Sequence, residues 1–119
     1  MKKDSIGKKG EEIAVKYLQD KGFEIIEQNW HCQWGEIDII AKTQSVWIFC
    51  EVKTRTSEST QQAFMNISTS KRKKLIASAQ QYLHEHELDD AIWQIDAIGI
   101  ALTRNQIPKI DHVEDALDW

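Results

Sequence analysis

The chain has 119 residues, enough for one domain with one core, and its 41% hydrophobic and 29% charged residues fit an ordinary globular protein. No apolar run approaches the ~20 residues of a membrane helix, and Met1-Lys2-Lys3-Asp4-Ser5 lacks the apolar stretch of a signal peptide, so a cytoplasmic location is the default expectation. The formal net charge of −4 argues against DNA binding by bulk electrostatics alone, and Cys32 and Cys50 are too few for a disulfide scaffold and lack zinc-site spacing.

A first helix is expected from Ser5 to about Lys21, with Ile13, Tyr17, Ala14 and Leu18 at apolar spacing and Gly22 closing it. Phe23 to Glu27 reads as a first strand, and Asn29 to Trp34 as a loop holding Cys32. Two strands follow, over about 35–42 and 46–54. The polar stretch Thr56 to Ser70 reads as a loop with an ordered centre at Ala63-Phe64-Met65. Ser70 is the expected N-cap of a second helix over about 71–87, whose stripe is Leu75, Ile76, Ala79, Tyr82 and Leu83. Trp93 to Leu102 is a fourth strand, and an edge strand is expected at about 109–113. The order α-β-β-β-α-β-β defines an α/β domain spanning 1–119, with a mixed sheet of four to five strands flanked by two main helices.

The middle strands carry the chemistry. Gly35-Glu36-Ile37-Asp38-Ile39-Ile40 and Trp47-Ile48-Phe49-Cys50-Glu51-Val52-Lys53 place acids among residues that favour burial, where an unpaired charge is expensive. Alternation puts Trp47, Phe49, Glu51 and Lys53 on one face, and Glu36, Asp38 and Ile40 on one face of the preceding strand. A two-residue turn at Gln44-Ser45 would oppose Asp38 to Glu51, with Cβ atoms roughly 4.5–5.5 Å apart. One divalent cation would relieve that repulsion, and Lys53 beside it points to phosphodiester chemistry. Strand-end charges at a solvent edge, with Lys53 as an ion-pair partner, are the alternative reading.

Basic residues concentrate at Lys2-Lys3, Lys8-Lys9, Lys53 to Arg55 and Lys71 to Lys74, while acids crowd the C-terminal third. Lys71 and Arg55 are candidate nucleic-acid contacts. Trp30 and Trp34 are candidates for stacking on bases, with core packing the competing role for at least one of them. His31, His84, His86 and His112 read as surface residues, Cys50 as a small buried residue, and Asp96 as a structural acid paired with Arg55 or capping a helix.

The Asp…Glu-x-Lys strand pair resembles the PD-(D/E)xK nuclease fold of restriction endonucleases and archaeal Holliday-junction resolvases. The whole chain resembles something narrower. Gly10-Glu11 with Ala14, Tyr17-Leu18 and Gly22, then Asn29-Trp30, Gly35 to Ile40, Phe49 with Glu51 to Arg55, Lys71, and Ala79 with Tyr82-Leu83 are together similar to the YraN-like family of small bacterial proteins. The resemblance implies that Asp38 and Glu51 ligate Mg²⁺ or Mn²⁺ with the carbonyl of Val52. Lys53 would contact the scissile phosphate or orient the attacking water, Glu11 would complete the metal shell directly or through water, and Lys71 would be a secondary phosphate contact. His31 and Gln94 stand where the family usually has Arg, which lowers the positive charge expected on the substrate face.

The expected function is metal-dependent hydrolysis of phosphodiester bonds in nucleic acid, DNA ahead of RNA, branched or structured substrates included. Two alternatives stand beside it: a nucleic-acid-binding module without useful turnover, and a protein-interaction subunit docking through Asp111 to Trp119, with Ala116, Leu117 and Trp119 exposed. Resolvase-like folds often work as homodimers, which leaves a homodimer open.

Overall fold

A computed structural model describes residues 3–56 and 68–116. Its elements are α1 (Lys3–Asp20), β1 (Glu24–Cys32), β2 (Gly35–Thr43), β3 (Val46–Arg55), α2 (Thr69–Glu85), β4 (Ile92–Ala101) and β5 (Lys109–Val113). The five strands form one mixed sheet in sequence order, antiparallel throughout except for the parallel pair β3–β4. The expected α/β class and element order are those observed.

Two apolar layers sandwich the sheet. On one face Ala14 and Leu18 of α1 pack on Ile39, Ala41, Ile48, Cys50, Val52, Ile98 and Ile100. On the other, Leu75, Ala79, Tyr82 and Leu83 of α2 pack on Ile37, Ile40, Phe49 and Ile95. β3 is buried on both sides because Ile48, Cys50 and Val52 serve the first layer and Phe49 the second.

Gly10 fixes how closely α1 rides on that strand. A Cβ at this position would collide with Thr54 Oγ1 and lie 2.8 Å from Thr54 Cβ and Cγ2. Only glycine lets the helix approach β3 at this level, and the next residue, Glu11, is thereby carried to the end of the sheet where β3 presents Glu51 and Lys53. At its far end α1 closes as expected, with Gly22 in the left-handed region at φ 93°.

The β2–β3 turn falls at Gln44-Ser45, with Thr43 opposite Val46 and Gln44 at φ 51°. Several other expectations need correction. The stretch read as a loop from Asn29 continues β1 through Trp30 and His31 to Cys32, paired with Ile37, Glu36 and Gly35. Its polar sequence fits an edge strand with one exposed side, and Asn29 sits at φ 52° within it. Helix α2 starts earlier than expected, with Ser68 as the N-cap accepting the Lys71 amide at 3.1 Å. Ile37 and Ile40 share the α2-side layer although three residues apart, so strict alternation fails around Asp38. The ordered centre expected at 63–65 lies outside the described residues.

Asp96 and His112, read as a partner of Arg55 and as a surface residue, form a buried pair instead. Their side chains are 0% and 4% exposed, with His112 Nε2 2.7 Å from Asp96 Oδ2. Asp96 Oδ1 accepts Gln94 Nε2 at 2.9 Å and the Asp115 amide at 3.0 Å, while His112 Nδ1 lies 3.0 Å from the Tyr17 hydroxyl. The network ties β4, β5, α1 and the segment after β5 into one unit. Gln94 therefore serves Asp96 rather than a substrate face. Ala116, expected to be exposed, is 3% exposed, and 117–119 lie outside the described residues. Arg55 turns to its own strand, Nη1 donating to Thr54 O at 3.2 Å.

Candidate active site

The site lies where β2 and β3 part. Their ladder ends at the Ile39–Cys50 pair, one residue short of Asp38 and Glu51. Asp38 then accepts the Val52 amide on Oδ2 at 2.7 Å, which holds the carboxylate against β3. Glu51 is 6% exposed, on the α2 side of β3, in line with Phe49.

Glu51 is compensated by two ammonium groups on a single oxygen. Lys53 Nζ lies 3.3 Å and Lys71 Nζ 2.6 Å from Glu51 Oε1. Lys53 comes from the same strand two residues on; Lys71 comes from the first turn of α2. Thus the three residues that the sequence placed near phosphate chemistry are in contact, and the Glu-x-Lys alternation is the geometric reason for the first pair.

Four acids share the region. Burial, followed by the Glu51 charge, pushes the Asp38 carboxyl up to about 8 against the opposing Val52 amide, with Glu11 and Glu36 adding to the rise. Burial also raises Glu11, opposed by a hydrogen bond from the Asn29 side chain and reinforced by Glu36 and Glu51. Glu36 is more exposed and lies 3.6 Å from His31. Burial, then the neighbouring Lys71, lowers Lys53, with Glu51 opposing. Burial works against the Lys71 charge too, but its contacts with Glu51 and Lys53 raise it on balance. The acids repel one another and are all oxygen donors, a set that suits a hard divalent cation such as Mg²⁺ or Mn²⁺. Among the described residues, no three His, Cys, Asp or Glu side chains stand ready-gathered around one metal position. Glu51 would have to turn from its lysines first.

A cleft of about 340 Å³ opens beside this cluster, lined by Ile6, Glu11, Lys53, Thr54 and Arg55 among others. It brings Glu11 and Arg55 to the same opening as Lys53. The two tryptophans separate. Trp30 packs edge-on to Tyr82 at 5.3 Å in the α2-side layer, whereas Trp34, in the turn between β1 and β2, is 46% exposed. Trp34 lines a groove of about 530 Å³ with Ser70, Lys73, Lys74 and Ala77 of α2. Asn29, which steadies Glu11, is a site residue that reasoning from strand patterns passed over; its place beside Trp30 in the family motif was its only signal.

The fold and site together define a small mixed α/β domain with an Asp, Glu-x-Lys cluster at a strand divergence. The family model described as "Uncharacterised protein family UPF0102" matches residues 10–100, and the chain belongs to this family. A relative from Herpetosiphon aurantiacus named "UPF0102 protein" is 37% identical over 114 residues, covering 92% of this chain and 91% of its own. Another so named, from Chloroflexus aurantiacus, is 38% identical over 112 residues, covering 93% and 91%. A third, from Geobacter metallireducens, is 35% identical over 114 residues, covering 96% and 93%. The YraN-like resemblance drawn from the motifs is the same family. Among the described residues no helix is long and apolar enough to cross a membrane.

Proposed function

We propose that this protein is a metal-dependent nuclease that hydrolyses phosphodiester bonds in DNA, branched or structured DNA in particular. The observation that carries the reading is the buried Glu51 carboxylate with Lys53 at 3.3 Å and Asp38 anchored beside it on the Val52 amide. Asp38 and Glu51 would hold Mg²⁺ or Mn²⁺, with the Val52 carbonyl as a third oxygen and Glu11 completing the shell directly or through water. The bound ion would supply charge to polarise a phosphoryl oxygen and acidify an attacking water.

The remaining work falls to the chain. Lys53, on the same face as Glu51, places a positive charge where the phosphate gains negative charge in the transition state. The same ammonium can donate a hydrogen bond that orients the attacking water. Arg55, in the adjoining cleft, extends the positive lining along the strand. Trp34 offers an aromatic face to an unpaired base, with Lys73 and Lys74 in the same groove for its phosphates. That pairing of stacking and charge favours substrates with unpaired nucleotides, and supports nucleic-acid binding despite the net charge of −4.

The test is calorimetric titration of Mn²⁺ and Mg²⁺ into wild type and into Asp38→Asn/Glu51→Gln. Binding that disappears in the double variant supports the metal site. Equal binding by both proteins would place any metal elsewhere. Salt-dependent nucleic-acid binding indifferent to Mg²⁺, without cleavage, would favour a non-catalytic binding module.

A further inference from the structure

We propose that Lys71 is a built-in cation that occupies Glu51 until the carboxylate takes up a divalent ion, and is then freed for the phosphate backbone, so that metal binding and nucleic-acid binding are coupled through one side chain. The proposal deepens the metal-dependent reading and rests on it.

Geometry makes the case. Glu51 Oε1 is met by two ammonium groups, Lys71 at 2.6 Å and Lys53 at 3.3 Å, although one positive charge suffices to neutralise one carboxylate. The shorter contact belongs to Lys71. The two lysines differ in how they are tethered. Lys53 stands two positions from Glu51 on β3 and shares its face, so it stays in the site whatever Glu51 binds. Lys71 reaches across from another element. Its backbone is pinned, because its amide donates to the N-cap Ser68 hydroxyl at 3.1 Å, but its flexible side chain is 33% exposed. The ammonium can therefore leave Glu51 for solvent or for a phosphate without moving α2. Lys73 and Lys74, near the start of the same helix, line a groove with Trp34.

Glu51 cannot be a full partner to Lys71 and a metal ligand at once, so the lysine competes with the metal. Linkage requires the coupling to be reciprocal: a phosphate that draws Lys71 away tightens metal binding, and metal binding releases Lys71 to the phosphate. The device would keep the site weakly loaded until substrate arrives.

The test is Mn²⁺ titration by calorimetry on the full chain as wild type, Lys71→Met, Glu51→Gln and Lys16→Met. The last removes an exposed positive charge that pairs with Asp20 rather than Glu51, and so measures the general effect of lost charge. Lys71→Met is expected to bind Mn²⁺ at least about fivefold more tightly than wild type, within the ordinary range of such coupling, and Lys16→Met to stay close to wild type. A non-cleavable phosphorothioate oligonucleotide is expected to tighten Mn²⁺ binding in wild type by a larger factor than in Lys71→Met, where only direct contact of the phosphate with the ion remains. Lys71→Gln, which keeps a polar side chain at the helix start, is expected to repeat the result if Lys71→Met folds poorly. Equal tightening by Lys71→Met and Lys16→Met, or no tightening in Lys71→Met while Glu51→Gln abolishes binding, would overturn the placeholder role and leave the metal site standing. Absence of Mn²⁺ binding in both wild type and Lys71→Met, with or without the oligonucleotide, would overturn the metal reading and this inference with it.

Discussion

Asp38 accepts the Val52 amide at 2.7 Å just past the point where the β2–β3 ladder has ended. A side chain thus replaces a backbone carbonyl as the partner of that N–H, and the strands can separate without leaving it unpaired. The separation leaves Glu51 accessible to Lys71 from α2 and sets Asp38 among other acids.

That placement has a pH signature. Asp38 is raised from the ordinary 3.8 to about 8, so between these limits the folded chain holds a proton the unfolded chain has released. The contribution of Asp38 to stability is full below about pH 4 and is lost as pH rises through about 8. Asp38→Asn needs no such proton. Its stability relative to wild type should improve steadily between about pH 5 and about pH 8.5 in metal-free urea unfolding, and a flat difference would contradict the assigned environment. Saturating Mn²⁺ should narrow the difference by stabilising wild type alone.

Gly10→Ala should destabilise the fold although alanine is the better helix former. The helix gains up to about 1 kcal/mol in propensity, while the clash with the short, branched Thr54 side chain costs roughly 1–3 kcal/mol. A fall of a few degrees in Tm is expected, and Gly10→Ala/Thr54→Ala should recover most of it. Failure of the second change to rescue the first would mean that the helix is held off β3 by something else.

Trp34→Ala and Trp30→Ala should part company. Trp34 is 46% exposed, so its loss should leave unfolding near wild type but weaken binding to single-stranded DNA by roughly 1–3 kcal/mol per stacked base. Trp30 packs on Tyr82, so its loss should lower stability by on the order of 2–3 kcal/mol, short of a fully buried Trp. Fluorescence anisotropy and thermal melts on the two variants decide the assignment.

Asp96→Ala should be among the most damaging single changes away from the cluster. It strands the buried His112 ring, the Gln94 amide and the Asp115 N–H together, at a cost of about 3–5 kcal/mol. Metal affinity in the fraction that remains folded should be unchanged.

The hairpin and the Glu-x-Lys face were legible in the sequence because both follow from strand alternation over a short turn, a local rule. The second half of β1 was not, since Gln28, Asn29 and His31 are tolerated only because an edge strand leaves them in solvent. The start of α2 was ambiguous because Ser68, Thr69 and Ser70 can all cap, and only the bond to the Lys71 amide selects Ser68. His112 met Asp96 through the β4–β5 register, which sets His112 opposite Ile98, and no local pattern encodes that pairing. Lys71 on Glu51 is likewise a contact between elements; the sequence suggested a phosphate contact there and gave no sign of the ion pair.

The most direct measurement is single-turnover cleavage of end-labelled branched, nicked and single-stranded DNA in Mn²⁺ and in Mg²⁺, by wild type, Glu51→Ala and Lys53→Ala. Metal-dependent cleavage by wild type, reduced at least about a hundredfold in each variant, is the predicted result. Cleavage that survives both substitutions, or none by wild type on any substrate under conditions where it binds metal and DNA, would contradict a hydrolytic role for Glu51 and Lys53.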